Sequence, residues 1–372
     1  MNIKRYFNSF FVYSSIAALV VFTACSDKDD EIDDSGLIVP PSSADFTDLL
    51  TNQIDAVILP SMATYQSELT DLETALNNFA SSVNASNLTS LRTAYHRAYL
   101  AYQAVAVHNY FATTGQVLVE NTNLYPVDTA ILTNLISSRS YNFNARTQER
   151  ANGFPAIDFM LFGTSDVLAF FNADTNRIAF LQALVSSMKV KSDALVSQWN
   201  GFRTNFIDNG GTSLGSSIGI QLNQTLIYYE NHIRENKVGI PIGRLGPNDS
   251  PIAPDPAKIE AFHESISEGN ENFTMNLLRA AVEEMEDTYL GESIANVNGQ
   301  GYDDLLITRG HAAIDSDIKA QYANIFHNIS NRSSISGNDS LYLSIQRLVA
   351  LYKSDLFPVL NVQDADGAND GD

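Results

Sequence analysis

The chain has 372 residues, 44% of them hydrophobic, and sets 22 basic residues against 43 acidic ones for a formal net charge of −21. So acidic a surface repels a phosphate backbone, which excludes nucleic acid as a partner. The single cysteine excludes internal disulfides, and once it is spent at the amino terminus no thiolate metal site remains; any metal must be held by histidine, carboxylate or backbone oxygen.

Lys4 and Arg5 precede an apolar run from Phe10 to Phe22 of 13 residues, the pattern of a secretory signal and too short for a retained membrane span. The run ends in Phe22-Thr23-Ala24-Cys25. Residues 1–24 therefore read as a signal peptide, and Cys25 resembles the lipidated residue of a bacterial lipoprotein. Residues 25–44 carry Asp27, Asp29, Asp30, Glu31, Asp33 and Asp34 and read as a solvated tether. This stretch also resembles the acidic export signal of Bacteroidetes lipoproteins, so the expected location is the outer membrane, on its periplasmic face or at the cell surface. Loss of residues 1–24 removes Lys4 and Arg5 and no acid, moving the formal charge from −21 to −23.

The remaining pattern is helical. Leu88, Leu91, Tyr95, Ala98, Tyr102 and Val105 form one stripe at three- and four-residue steps, followed by Tyr110, and Ile178, Leu181, Val185, Met188, Leu195 and Trp199 form a second. Two more run from Leu277 to Tyr289 and from Leu341 to Tyr352. Strand-like alternation is nearly absent, which predicts an all-α protein of packed helical bundles. The breakers Asp208 to Gly215 divide a bundle over 45–209 from another over 210–362, ahead of an acidic tail at 363–372. Pro241, Pro247, Pro251, Pro254 and Pro256 forbid an unbroken helix from Gly239 to Pro256, a segment that either packs on the surface or shapes a site.

Within the first bundle, Asn152-Gly-Phe-Pro-Ala-Ile-Asp-Phe-Met-Leu-Phe-Gly163 resembles the signature of the imelysin family, in which Gly-x-His-x-x-Glu runs into an apolar segment ending in glycine. Gly153, Phe159, Leu161 and Gly163 keep that frame, whereas Pro155 stands at the histidine position and Asp158 at the glutamate position. Further matches are the helix from Leu88 to Phe111, Tyr125-Pro126-Val127-Asp128, Lys237-Val-Gly-Ile-Pro-Ile-Gly243 and Tyr302-Asp-Asp-Leu-Leu306. The resemblance implies two helical bundles packed together with the signature site near their interface. It also implies a part in iron acquisition, through iron or another divalent metal, an iron complex, or an uptake partner.

Asp158 still offers one carboxylate, and Glu260-Ala-Phe-His263 has the Glu-x-x-His spacing that carboxylate-bridged di-iron bundles use. One copy cannot make a di-iron centre. A mononuclear site from Asp158, Glu260 and His263, helped by Glu230, requires their helices to meet. A plainer reading of Gly153 to Gly163 is a buried helix whose proline and acid suit its first turn. His232 and Glu235 form a literal His-x-x-Glu at what reads as a solvated helix end, and Tyr95, Tyr99, Tyr102 and Tyr110 read as packing or, alternatively, as a haem or siderophore face. Nucleophile motifs are absent. Three readings follow: a lipoprotein that binds iron or an iron complex, a metallopeptidase-like enzyme using an activated water, and an interaction scaffold without metal.

Overall fold

A computed structural model describes residues 46–108, 110, 122–245, 250–295, 297–337 and 339–365. The expected signal peptide, Cys25 and the tether to residue 44 lie outside the described residues, as does the tail from 366. The described residues all belong to one compact unit. It is all-α, as the periodicity predicts, and the only strands among the described residues are the two-residue pair Arg244–Leu245 and Ser250–Pro251, antiparallel.

Helix α1 starts at Thr47–Asn52, widens into a π-helical stretch at Gln53–Ile58 and continues as Leu59–Ser81. It buries Leu69, Leu72, Leu76 and Phe79 at the three- and four-residue steps of one helical face. Asn84 then caps α2 (Ala85–Ala106), its side chain accepting the Asn87 amide at 3.0 Å, and α2 returns along α1. Tyr95, Tyr99 and Tyr102 of the predicted stripe are fully buried. They surround Phe154, with Tyr99 stacked on it at 4.2 Å between centroids and Tyr102 tilted at 5.2 Å, so the tyrosines are core.

Helix α3 (Thr129–Ser138) and a 3-10 turn (Arg146–Ala151) lead to α4 (Gly153–Phe162), and α5 (Val167–Ala173) to α6 (Asn176–Asp208), which packs along α1. The predicted breakers form the turn after α6, closed by the Ser217 amide on the Asn209 carbonyl at 2.9 Å. Helix α7 (Ser217–Tyr228) becomes π-helical over Tyr229–Gly239 and ends in Ile240–Ile242, where Gly243 takes a left-handed φ of 86°. The short α8 (Phe262–Glu268) precedes α9 (Asn272–Leu290), which lies against α2. The chain closes with α10 (Tyr302–Thr308), α11 (Ala312–Ser330) and α12 (Asp339–Ala350, continued through a π stretch at Leu351–Leu356 to Phe357–Leu360). No single helix among the described residues is long and apolar enough to cross a membrane.

Removing the ring at the centre of the tyrosine cluster opens a cavity bounded by α1, α2 and α4. Phe154→Ala is expected to lower unfolding stability by about 3–5 kcal/mol, read from equilibrium denaturation; a loss under about 1 kcal/mol would show that the cluster is not closely packed.

Candidate functional site

Helix α4 owes its path to glycine. Gly153 has φ of 65°, and a Cβ there would stand 1.8 Å from the carbonyl oxygen of Thr122, so no other residue lets these two segments meet. Asn152 accepts the Gly153 amide at 2.8 Å and donates to the Phe143 carbonyl at 2.9 Å. The frame glycines and Met160, Leu161 and Phe162 thus serve packing, while Phe159 is only partly buried.

Asp158 is the sixth residue of α4 and not part of its first turn, contrary to the plainer sequence reading. Its carboxylate serves another helix: Oδ2 accepts the His263 amide at 2.8 Å and Oδ1 the Glu264 amide at 3.0 Å, satisfying two donors at the start of α8. Ala261 precedes α8 with φ of 52° and offers no side-chain cap, so the capping acid is supplied from α4. Burial pushes the Asp158 carboxyl up to about 7, against the two amides and Tyr95, which pull it down. Glu264 is likewise raised to about 7, by burial and then by the charge of Asp158.

The four carboxylate and histidine candidates do not converge. The His263 ring packs edge-on between Phe159 and Phe262, at 5.1 and 5.2 Å, and burial lowers its pKa. Glu230 pairs with Arg234 at 3.3 Å and Lys353 at 3.4 Å. Glu260 is buried against Lys237, to which it is ion-paired, and accepts from Asn123 at 2.6 Å. Among the described residues no three histidine, cysteine, aspartate or glutamate side chains come together so as to hold a metal ion. Pro155, Asp158 and His263 instead line a cleft of only about 20 Å³. The residues present at this place do not fit the metal that the family resemblance implies, because the one carboxylate is turned to amides and the histidine position is proline.

Beside it lies a larger cavity of about 340 Å³. Helix α7 forms one wall, with His232 and Asn236 on its π-helical stretch and Tyr228 and Ile240 at the stretch's two ends, each four residues from the next. Asn123, Leu124, Tyr125 and Pro126 form a second wall, and Arg150, Lys237, Lys258 and Glu260 complete the lining. At its base Lys237 donates to Gln103 at 2.8 Å and to Glu260, while Tyr99 reaches Asn123 at 2.5 Å. This buried network ties together α2, the segment before Tyr125, α7 and Glu260, which follows the proline-rich segment. Of Gly239 to Pro256 itself, Ile240 lines the cavity. His232 is held neutral, its pKa lowered to about 4 by burial and by the charge of Lys237. Burial also lowers Lys237 itself, against the pull of Glu260. The tyrosine hydroxyls at Tyr125 and Tyr228 are raised by burial, then by Glu260, and remain protonated donors.

Of these residues, Tyr125, Pro126, Lys237 and Ile240 lie in stretches that carried the family resemblance. Asn123, Arg150, Asn236 and Lys258 left no sequence signal. His232 enters the wall without its predicted partner, since Glu235 pairs with Arg234 at 3.2 Å.

The described residues thus form an all-helical fold with a buried ion pair under an interhelical cavity. The chain belongs to the imelysin family: the family model described as Imelysin matches residues 58–337. Two solved structures share the fold. One is an imelysin-like protein from Psychrobacter arcticum 273-4, 14% identical, with a TM-score of 0.69 over 88% of this chain and 99% of that one. The other is a "putative iron-regulated protein A precursor" from Parabacteroides distasonis ATCC 8503, 14% identical, with a TM-score of 0.65 over 88% of this chain and 96% of that one. Among curated proteins none matches the chain.

Two predictions follow from this geometry. An aspartate whose folded-state pKa lies above its unfolded value holds a proton in the native state that the unfolded chain has released, so its contribution to stability falls as pH rises from about 4 to about 7. Asp158→Asn, which cannot ionise, should flatten the decline of unfolding free energy across that window; an unchanged slope would place the titration elsewhere. Lys237→Met leaves Glu260 buried and unpaired and should cost about 3–5 kcal/mol. Adding Glu260→Gln should recover a substantial part of that loss, and strict additivity of the two changes in denaturation would show that the pair is not coupled.

Proposed function

We propose that the chain is a lipid-anchored binding protein of the cell envelope that takes part in iron acquisition, receiving iron as a complex and not as a bare ion. The observation that carries the reading is the cavity: stretches that mark the family, Tyr125-Pro126 and Lys237 to Ile240, supply its walls, while the signature position at Pro155 and Asp158 offers no ligand set. Family membership and the name of the Parabacteroides distasonis protein lend the iron role its support. Lipid on Cys25 would hold the cavity at the outer membrane, on the periplasmic face or at the surface, within reach of an uptake partner. A peptidase using a metal-activated water needs a ligand set with an open position and a general base, and Asp158, already engaged by two amides, is poorly placed for either role.

The soluble chain from Ser26, without the lipidated cysteine, should be titrated with ferric, cupric and zinc ions and, separately, with ferric chelates, using calorimetry and elemental analysis, with casein cleavage followed in parallel. Iron should be retained when presented as a chelate, bare ions should bind weakly, and casein should stay intact. Tight stoichiometric binding of a bare ion, or cleavage that a chelating agent abolishes, would overturn the reading.

A further inference from the structure

The cavity under α7 differs in charge from the surface of the molecule. In a chain of net charge −21, its lining carries three cationic side chains, Arg150, Lys237 and Lys258, against one carboxylate, Glu260. Glu260 is committed to Lys237 and Asn123, so the acid presents little unsatisfied charge to the cavity. Lys258 is half-exposed and shares its charge with Asp255 at 3.3 Å. Arg150 is exposed, and among the described residues its guanidinium has no ion-pair or hydrogen-bond partner.

The neutral lining is also rich in donors. The Asn236 amide lies 3.3 Å from His232 Nδ1; with Asn236 donating there, the proton of the neutral ring sits on Nε2, which is then a donor. The Tyr125 and Tyr228 hydroxyls add donors, and their rings, with Ile240, add apolar surface suited to a carbon skeleton. A volume of about 340 Å³ is far larger than a single inorganic anion needs and falls at the lower end of small-molecule sites. The planar fork of an unpaired arginine matches a carboxylate in bidentate fashion.

From this lining we infer that the cavity binds a small polycarboxylate anion, free or as its ferric chelate, with Arg150 and Lys258 as the carboxylate-binding cations and Lys237 as the buried charge at its base. The inference rests on the reading that this cavity holds the cargo, and it names the chemical class of that cargo. Arg150 and Lys258 reach the ligand from solvent-facing positions, so replacing them leaves the buried network untouched.

The test titrates the full chain, purified in detergent, with citrate, ferric citrate and inorganic phosphate by calorimetry, alongside Arg150→Gln, Lys258→Gln and the double variant. Circular dichroism confirms that each variant is folded. Citrate or ferric citrate should bind the parent chain, at least about tenfold more weakly to each single variant and more weakly still to the double. Phosphate should bind far more weakly than either. Absence of polycarboxylate binding, binding that the double variant leaves unchanged, or phosphate binding as tight as citrate would each overturn the inference. Citrate binding without ferric citrate binding would uphold the polycarboxylate site and defeat the iron-complex reading. Iron taken up from a neutral chelate with no polycarboxylate binding would do the reverse.

Discussion

The buried ion pair between Lys237 and Glu260 is the interaction on which the rest of the site depends. Two opposite charges, both nearly sealed from water, are tolerable only where each finds its partner and further hydrogen bonds. Gln103 from α2 and Asn123 from the segment before Tyr125 complete that shell. The pair therefore demands that four pieces of chain, far apart in sequence, arrive at one point. Once they do, the walls of the cavity follow, because Tyr125, Tyr228, His232 and Asn236 are carried on those same pieces.

A second constraint lies next to the first. Asp158, from α4, caps the start of α8 by accepting two of its amides, and α8 begins immediately after Glu260 and Ala261. The acid that stands at the signature's glutamate position thus works as a cap that sets where Glu260 emerges. Pro155 is compatible with this arrangement, since the first turn of a helix has no use for the missing amide hydrogen. The change of residues at the signature and the survival of its glycine frame are then one fact: the frame keeps α4 against Thr122, and the acid has become structural.

Much of the fold was legible in the sequence. The stripes on α2, α6, α9 and α12 are the buried faces of those helices, and the breakers at Asp208 to Gly215 are the turn after α6, because apolar periodicity and backbone restriction are local properties. The widening of α7 into a π-helix over Tyr229–Gly239 was not legible, since no residue there is individually unusual and the altered hydrogen bonding responds to what packs around it. Asp158 was misplaced for a similar reason: an acid near a helix start suggests its own helix dipole, and only the approach of α8 shows that it serves another.

By itself the sequence determined an acidic, all-helical chain with a secretory signal pattern and a family frame, because composition, period and motif are carried by residues near one another along the backbone. Tertiary structure alone decided that Glu260 meets Lys237 and not Asp158, that His263 packs between phenylalanines, and that Arg150, without any motif around it, faces a cavity. The physical reason is that burial and pairing of charge depend on which distant segments share a low-dielectric space, and such neighbours exist only once the helices have packed.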